Sequence, residues 1–138
     1  MPLLHRLAVV LIATLSAVTV QAQTEQQKLP CQGDCPLYGV SMIQLIADPA
    51  KFDGKRVRVI GFLHFEFEGD AIYLHREDFR NHVLKNGLWA SVAEGVSCVH
   101  AKDAYSLVDG TFHAGDMGHM DLWSGAITNI TRCVKWSP

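Results

Sequence analysis

Between Arg56 and Glu68 apolar and polar side chains take turns: Val57, Val59, Leu63, Phe65 and Phe67 alternate with Arg56, Arg58, His64, Glu66 and Glu68. Gly61 interrupts the apolar set, and Ile60 and Phe62 interrupt the polar one. Successive side chains on a strand point to opposite faces, so a period of two over this length specifies a long, half-buried strand. A glycine in its middle marks a bend or bulge, where a sheet curls. A long bent strand suits a barrel, because closure removes the edges that make a flat sheet aggregate.

The flanking segments agree with that choice. Ser41 is placed to cap a short helix over Met42–Ala47, and Asp48-Pro49 makes its continuation unfavourable. Phe52-Asp53-Gly54 reads as a turn into the long strand, and Glu68-Gly69-Asp70 as the turn into a second strand over Ala71–His75. From Arg76 to Lys85 the apolar spacing changes to four at Phe79 and Val83, with Asn86-Gly87 as a stop, which predicts a helical turn or two. Leu88–Val92 reads as a third strand and Tyr105–Phe112 as a fourth, passing through Asp109-Gly110; Leu122–Val134 reads as a long fifth strand with Gly125 inside it. The segments 93–103 and 113–121 read as loops. The fold class is therefore mainly β: a small five-stranded barrel of the oligonucleotide/oligosaccharide-binding (OB) kind with one or two short helices, the alternative being a two-sheet β-sandwich.

With 138 residues the chain has room for one such domain, read as 37–138. Its first 22 residues have the three-part layout of a secretory signal peptide. A cationic start at His5 and Arg6 precedes an uncharged run from Leu7 to Val20, and Val20-Gln21-Ala22 places cleavage between Ala22 and Gln23. As a helix, the run 7–20 is about 21 Å long, short of the ~30 Å hydrocarbon core, so no stable membrane anchor is expected. Cys31 lacks the small residues that a lipoprotein cleavage site places before it. The expected product is periplasmic or secreted. Residues 23–36 read as a mobile N-terminal segment carrying a cysteine pair, polar and amide-rich up to Pro30.

The four cysteines, Cys31, Cys35, Cys98 and Cys133, form an even set in an exported domain, which favours disulfides. Three pairings are open; Cys31 with Cys35 and Cys98 with Cys133 is preferred, since the first two share a turn-rich stretch. The formal net charge is −2, and removal of residues 1–22 takes away one charged side chain, Arg6. Lys51, Lys55, Arg56 and Arg58 cluster, yet two of them flank apolar strand positions and read as a solvated face; no nucleic-acid partner is expected.

Val40 to Phe67 places a short helix, a proline, the turn Phe52-Asp53-Gly54-Lys55 and a valine-rich strand ending at Gly61 in one order. In this it resembles the opening of small uncharacterised exported bacterial proteins with an OB-like β-barrel. Tyr73–Phe79, Asp109–Phe112 and Gly118–Gly125 are similar in style to the rest of such proteins. The resemblance implies a barrel and no particular reaction, since OB-like barrels serve many purposes. The helix placed after the second strand departs from the usual OB order, which puts its helix between the third and fourth strands.

Chemistry-bearing residues are densest in the loop 113–121, where His113, Asp116, Met117, His119, Met120 and Asp121 crowd together. Imidazole and thioether suit copper and imidazole with carboxylate suits zinc, so His113, Met117, His119 and Asp121 are the candidate metal ligands. The plainer reading is a glycine-rich loop with solvated polar groups and methionines packed over the barrel mouth. No cofactor is otherwise implied. Cys31-Gln-Gly-Asp-Cys35-Pro36 has the spacing of a copper-delivery motif but lacks the βαβ context, and a structural disulfide explains it equally well. His75-Arg76-Glu77-Asp78 sets a histidine beside two acids, a general acid–base pair if a cleft lies there. His64 and His82 read as structural or exposed, and Tyr73, Trp89 and Trp123 read as core in preference to stacking platforms. These readings converge on a non-enzymatic module for an unidentified small ligand or protein partner. Copper or zinc binding ranks second, and an enzyme centred on His75 or His119 third.

Overall fold

A computed structural model describes residues 34–138. The signal-peptide reading of 1–22, the apolar run 7–20 and the Cys31 half of the first cysteine pair lie outside these residues. The elements are β1 (Tyr38–Gly39), α1 (Met42–Ala47), α2 (Pro49–Phe52), β2 (Arg56–His64), β3 (Ala71–Tyr73), α3 (Arg76–Arg80), β4 (Gly87–Val92), β5 (Ala104–His113) and β6 (Ala126–Lys135). Short 3₁₀ turns occupy Leu84–Asn86, Val99–Ala101 and His119–Asp121.

Ser41 caps α1 through a reciprocal box: its Oγ accepts from the Gln44 N–H at 3.2 Å and the Gln44 side chain accepts from the Ser41 N–H at 2.9 Å. Asp48 leaves the helical region, and Pro49 then opens α2 at its first position, where a missing N–H costs nothing. The proline ends one helix and starts another, so the turn expected at Phe52 begins a residue later.

The sheet closes on itself in the order β2-β3-β4-β6-β5-β2, with β4 and β6 parallel and the other pairs antiparallel. This is the strand order of an OB-like barrel. The pair β4–β6 requires the chain to cross the barrel, and the usual OB helix would make part of that crossing. Here the position holds only the turn Val99–Ala101, and the helix lies between the second and third barrel strands as α3. β1 is an addition: it runs parallel to the start of β2, Tyr38 opposite Val57 and Gly39 opposite Arg58, on the edge that β3 takes at Phe62–His64. Gly61 sits between these two partners. A Cβ there would lie 2.7 Å from both the Tyr73 carbonyl oxygen and an Ile72 side-chain carbon, so only glycine lets β3 approach as β2 bends.

Inward side chains fill the barrel: Val57, Val59 and Leu63 of β2, Ile72, Leu88, Val108, Phe112, Ile127 and Ile130. Met42, Leu45 and Phe52 join them from α1 and α2, beside the hydrogen bond from the Gly54 N–H to the Phe112 carbonyl. A disulfide joins Cys98 to Cys133 and ties the β4–β5 connection to β6. Ser106, fully buried, donates its hydroxyl to the Ala101 carbonyl at 2.8 Å and holds the same connection.

A second cluster lies outside the barrel. Phe62, Ala71, Tyr73 and Trp123 are buried together, with Phe79, Leu84 and Trp89 packed on them. Phe62 thus breaks the polar set of β2 because α3 covers it. β6 starts at Ala126, so Gly125 and the residues before it belong to the β5–β6 loop and Trp123 is a loop residue in this cover. Among the described residues no helix is long and apolar enough to cross a membrane.

Candidate functional site

The loop predicted to gather metal ligands sets its two histidines against different neighbours. His113, at the end of β5, lines a depression of about 510 Å³ with Asp53, Asp116 and Thr128. Asp53 is engaged there by the Ala114 N–H at 2.9 Å, and Asp116 by the Gly118 N–H at 3.1 Å. His119 points elsewhere, its Nε2 lying 3.7 Å from Glu68 Oε2 on the β2–β3 turn. Met117, Met120 and Asp121 are exposed, Met120 at 76%. Among the described residues no three His, Cys, Asp or Glu side chains are grouped to hold a metal ion. The loop is held by contacts of another kind. At Gly118 the backbone lies flat against Trp89, where a Cβ would come within 2.7 Å of the indole. Lys85 Nζ donates to the carbonyls of Asp121 at 3.0 Å and Trp123 at 2.8 Å, and Ser124 Oγ returns a bond to the Lys85 carbonyl.

Of the acid–base candidates, Asp78 is taken up in structure. His75 is the exposed N-cap of α3, and its N–H donates to Asp78 Oδ2 at 2.9 Å; Asp78 Oδ1 accepts from Asn86. His64 is clamped: Nδ1 meets Asp103 Oδ1 at 2.5 Å, Nε2 lies 3.5 Å from Glu66, and the ring lies over Phe79 with centroids 4.0 Å apart. The residue fastens the end of β2 to the start of β5. Tyr73 and Trp123 are core, and Trp89 packs edge-on to Trp123 at 5.0 Å. Burial raises the Tyr73 hydroxyl above the ordinary tyrosine range.

The opposite face of the barrel, across β2, β5 and β6, is open. Strand register sets Ile60 against Leu107 and Leu107 against Val134, an apolar row on the outer surface. Tyr105 and Trp136 continue it past the row, Trp136 held by its N–H to the Tyr105 carbonyl at 2.8 Å and 41% exposed. Ile60, Leu107 and Trp136 form the floor of a groove of about 490 Å³, whose wall is Val40, Ser41 and Gln44 from the β1–α1 corner. Trp136 also borders a second depression of about 280 Å³ with Phe62, Tyr105, Arg76 and Lys135; the two share Trp136 and are taken together as one trough.

The next row is charged: Arg58, Asp109 and Arg132 stand side by side. Arg58 grips Asp109 with two parallel bonds, Nε to Oδ1 at 2.7 Å and Nη2 to Oδ2 at 2.6 Å. The Asp109 side chain is only 7% exposed and that of Arg58 37%. The hydrogen bond to Asp109 raises the Arg58 guanidinium above its usual value and keeps it charged. Arg56 is also engaged, donating to Thr131 Oγ1 at 2.8 Å. Two arginines read from sequence as a solvated face are therefore cross-strand fasteners.

Sequence reasoning did not find this face. Its one signal is Ile60, an apolar residue on the polar side of β2; Leu107, Val134 and Trp136 only become neighbours through strand pairing. No protein-family model, curated protein or solved structure matches the chain.

Proposed function

We propose that this chain is an exported, non-enzymatic binding module that takes a ligand or protein partner on the open face of its barrel. The observation that carries the reading is the apolar row Ile60–Leu107–Val134 leading to Trp136, left uncovered between charged neighbours. Exposed apolar surface rimmed by polar groups marks interaction sites. Export rests on the layout of residues 1–22. The copper or zinc alternative gains no support, because His113 and His119 face different neighbours.

A photo-crosslinking amino acid placed at Leu107 in the producing cell tests the reading. Adducts at Leu107 that disappear with Trp136→Ser, with none from the same probe at Asn81, are expected; equal labelling at both positions, or none at Leu107, overturns it. The adducted chain should begin at Gln23, and a chain still carrying residues 1–22 in the exported fraction would refute the processing reading.

A further inference from the structure

The trough has a direction and a charge at each end, and both follow from strand geometry. One end is the row of Arg58, Asp109 and Arg132, in which two cations flank one buried carboxylate and Arg58 is bonded to it. The other end is lined by two cations, Arg76 and Lys135, with Phe62 and Tyr105, and by one acid, Asp103, which His64 engages. Each end thus carries surplus positive charge on a chain whose formal net charge is −2. Between them lie Ile60, Leu107 and Trp136. Arg58 and Phe62 are four residues apart on β2, a distance of roughly 13 Å at ~3.3 Å per residue.

An extended peptide has the same repeat. Its side chains at the first, third and fifth positions share a face and also span about 13 Å. Laid along β2, such a segment sets its first and fifth side chains at the two cationic ends and its third on Trp136 and Leu107. The lining includes Trp136, Tyr105, Arg58 and Arg76, of the residue types that dominate protein-binding hot spots. We infer that the occupant of this face is an extended protein segment with the pattern acidic-x-apolar-x-acidic. The inference rests on the binding-module reading and adds the chemistry of the partner.

The probe is the peptide Ac-Glu-Ser-Leu-Ser-Glu-NH2, titrated at millimolar concentration into the isotope-labelled mature chain and followed by amide chemical shifts. Two control peptides carry glutamine or lysine at both ends. The acidic peptide is expected to shift the amides of Ile60, Leu107 and Trp136 and to bind about tenfold or more tightly than the lysine peptide, the preference shrinking with added salt. Lys135→Glu should weaken it severalfold, and Arg76→Glu with Lys135→Glu should abolish the preference. Lys135 is exposed, so the single variant keeps the test usable if the double variant does not fold.

Equal binding of all three peptides would overturn the charge pattern while leaving the apolar docking face standing. Shifts that depend on protein concentration and not on peptide would overturn the inference in favour of a second copy of the chain. If no peptide moves these amides the inference fails; persistence of the crosslink at Leu107 would then show that the module reading survives it.

Discussion

The barrel has two outer faces with apolar side chains, and the chain treats them differently. On β3 and β4 the outward Ala71, Tyr73 and Trp89 are covered by α3, by Leu84 and by Trp123 of the β5–β6 loop, which Lys85 and Ser124 stitch together. On β2, β5 and β6 the outward Ile60, Leu107 and Val134 are left in contact with solvent. The difference lies in the connections. The segments 74–86 and 114–125 both fold back over the first face, whereas the second is bordered by the β1–α1 corner and, at one end, by Arg76. An outward apolar residue is therefore ambiguous by itself: it needs a cover, and either the chain supplies it or a partner does.

Truncating one residue on each face breaks or sustains this comparison. Trp123→Ala should cost about 3–5 kcal/mol, the range for deleting a large buried aromatic, whereas Leu107→Ser should stay within about 0.5 kcal/mol of the parent. Urea denaturation measures both, and similar losses would mean that the open face is core by another name. Removing the disulfide as Cys98→Ala with Cys133→Ala comes next, at about 2–4 kcal/mol by thermal melting. Cys133 lies between Arg132 and Val134, so the open face should loosen before the covered one, which amide exchange would reveal.

The charged row should respond asymmetrically. Arg58→Met strands a buried carboxylate, whereas Asp109→Asn leaves a guanidinium that can turn to water, so the first variant should have the lower denaturation midpoint. The smallest effect concerns pH and belongs to the covered face. Tyr73 holds its proton more firmly in the folded chain than in the unfolded one, because burial raises it. Its contribution is fully present below the ordinary tyrosine value near 10 and is lost as pH rises through the higher folded value. Tyr73→Phe should flatten the alkaline fall in stability above about pH 10, and an unchanged slope would place its cause elsewhere.

The strand pattern was legible because it is local. Alternation in 56–68, the Ser41 cap, the turn at Gly69 and the change of period at Phe79 each depend on neighbours within a few residues. From these the barrel class, its five strands and the displaced helix could be read. The end of β6 was legible too, but its start was not, because Trp123 looks alike on a strand and in a loop that packs on a sheet.

The candidate site was hidden for a related reason. The two histidines that crowd into the loop 113–121 face different neighbours, His113 lining a depression with Asp53 and His119 lying beside Glu68, since a loop with positive φ at Gly118, Met120 and Asp121 turns its side chains in several directions. Trp136, Leu107 and Ile60 are far apart in the chain and meet only because β5 pairs with β2 on one side and β6 on the other. By itself the sequence determined which segments are strands and which of their side chains share a face, because backbone sterics act between adjacent residues. Only the tertiary structure decided which apolar face is covered, which arginine finds a buried acid and which surface remains for a partner, because register and loop placement bring together residues that no local pattern connects.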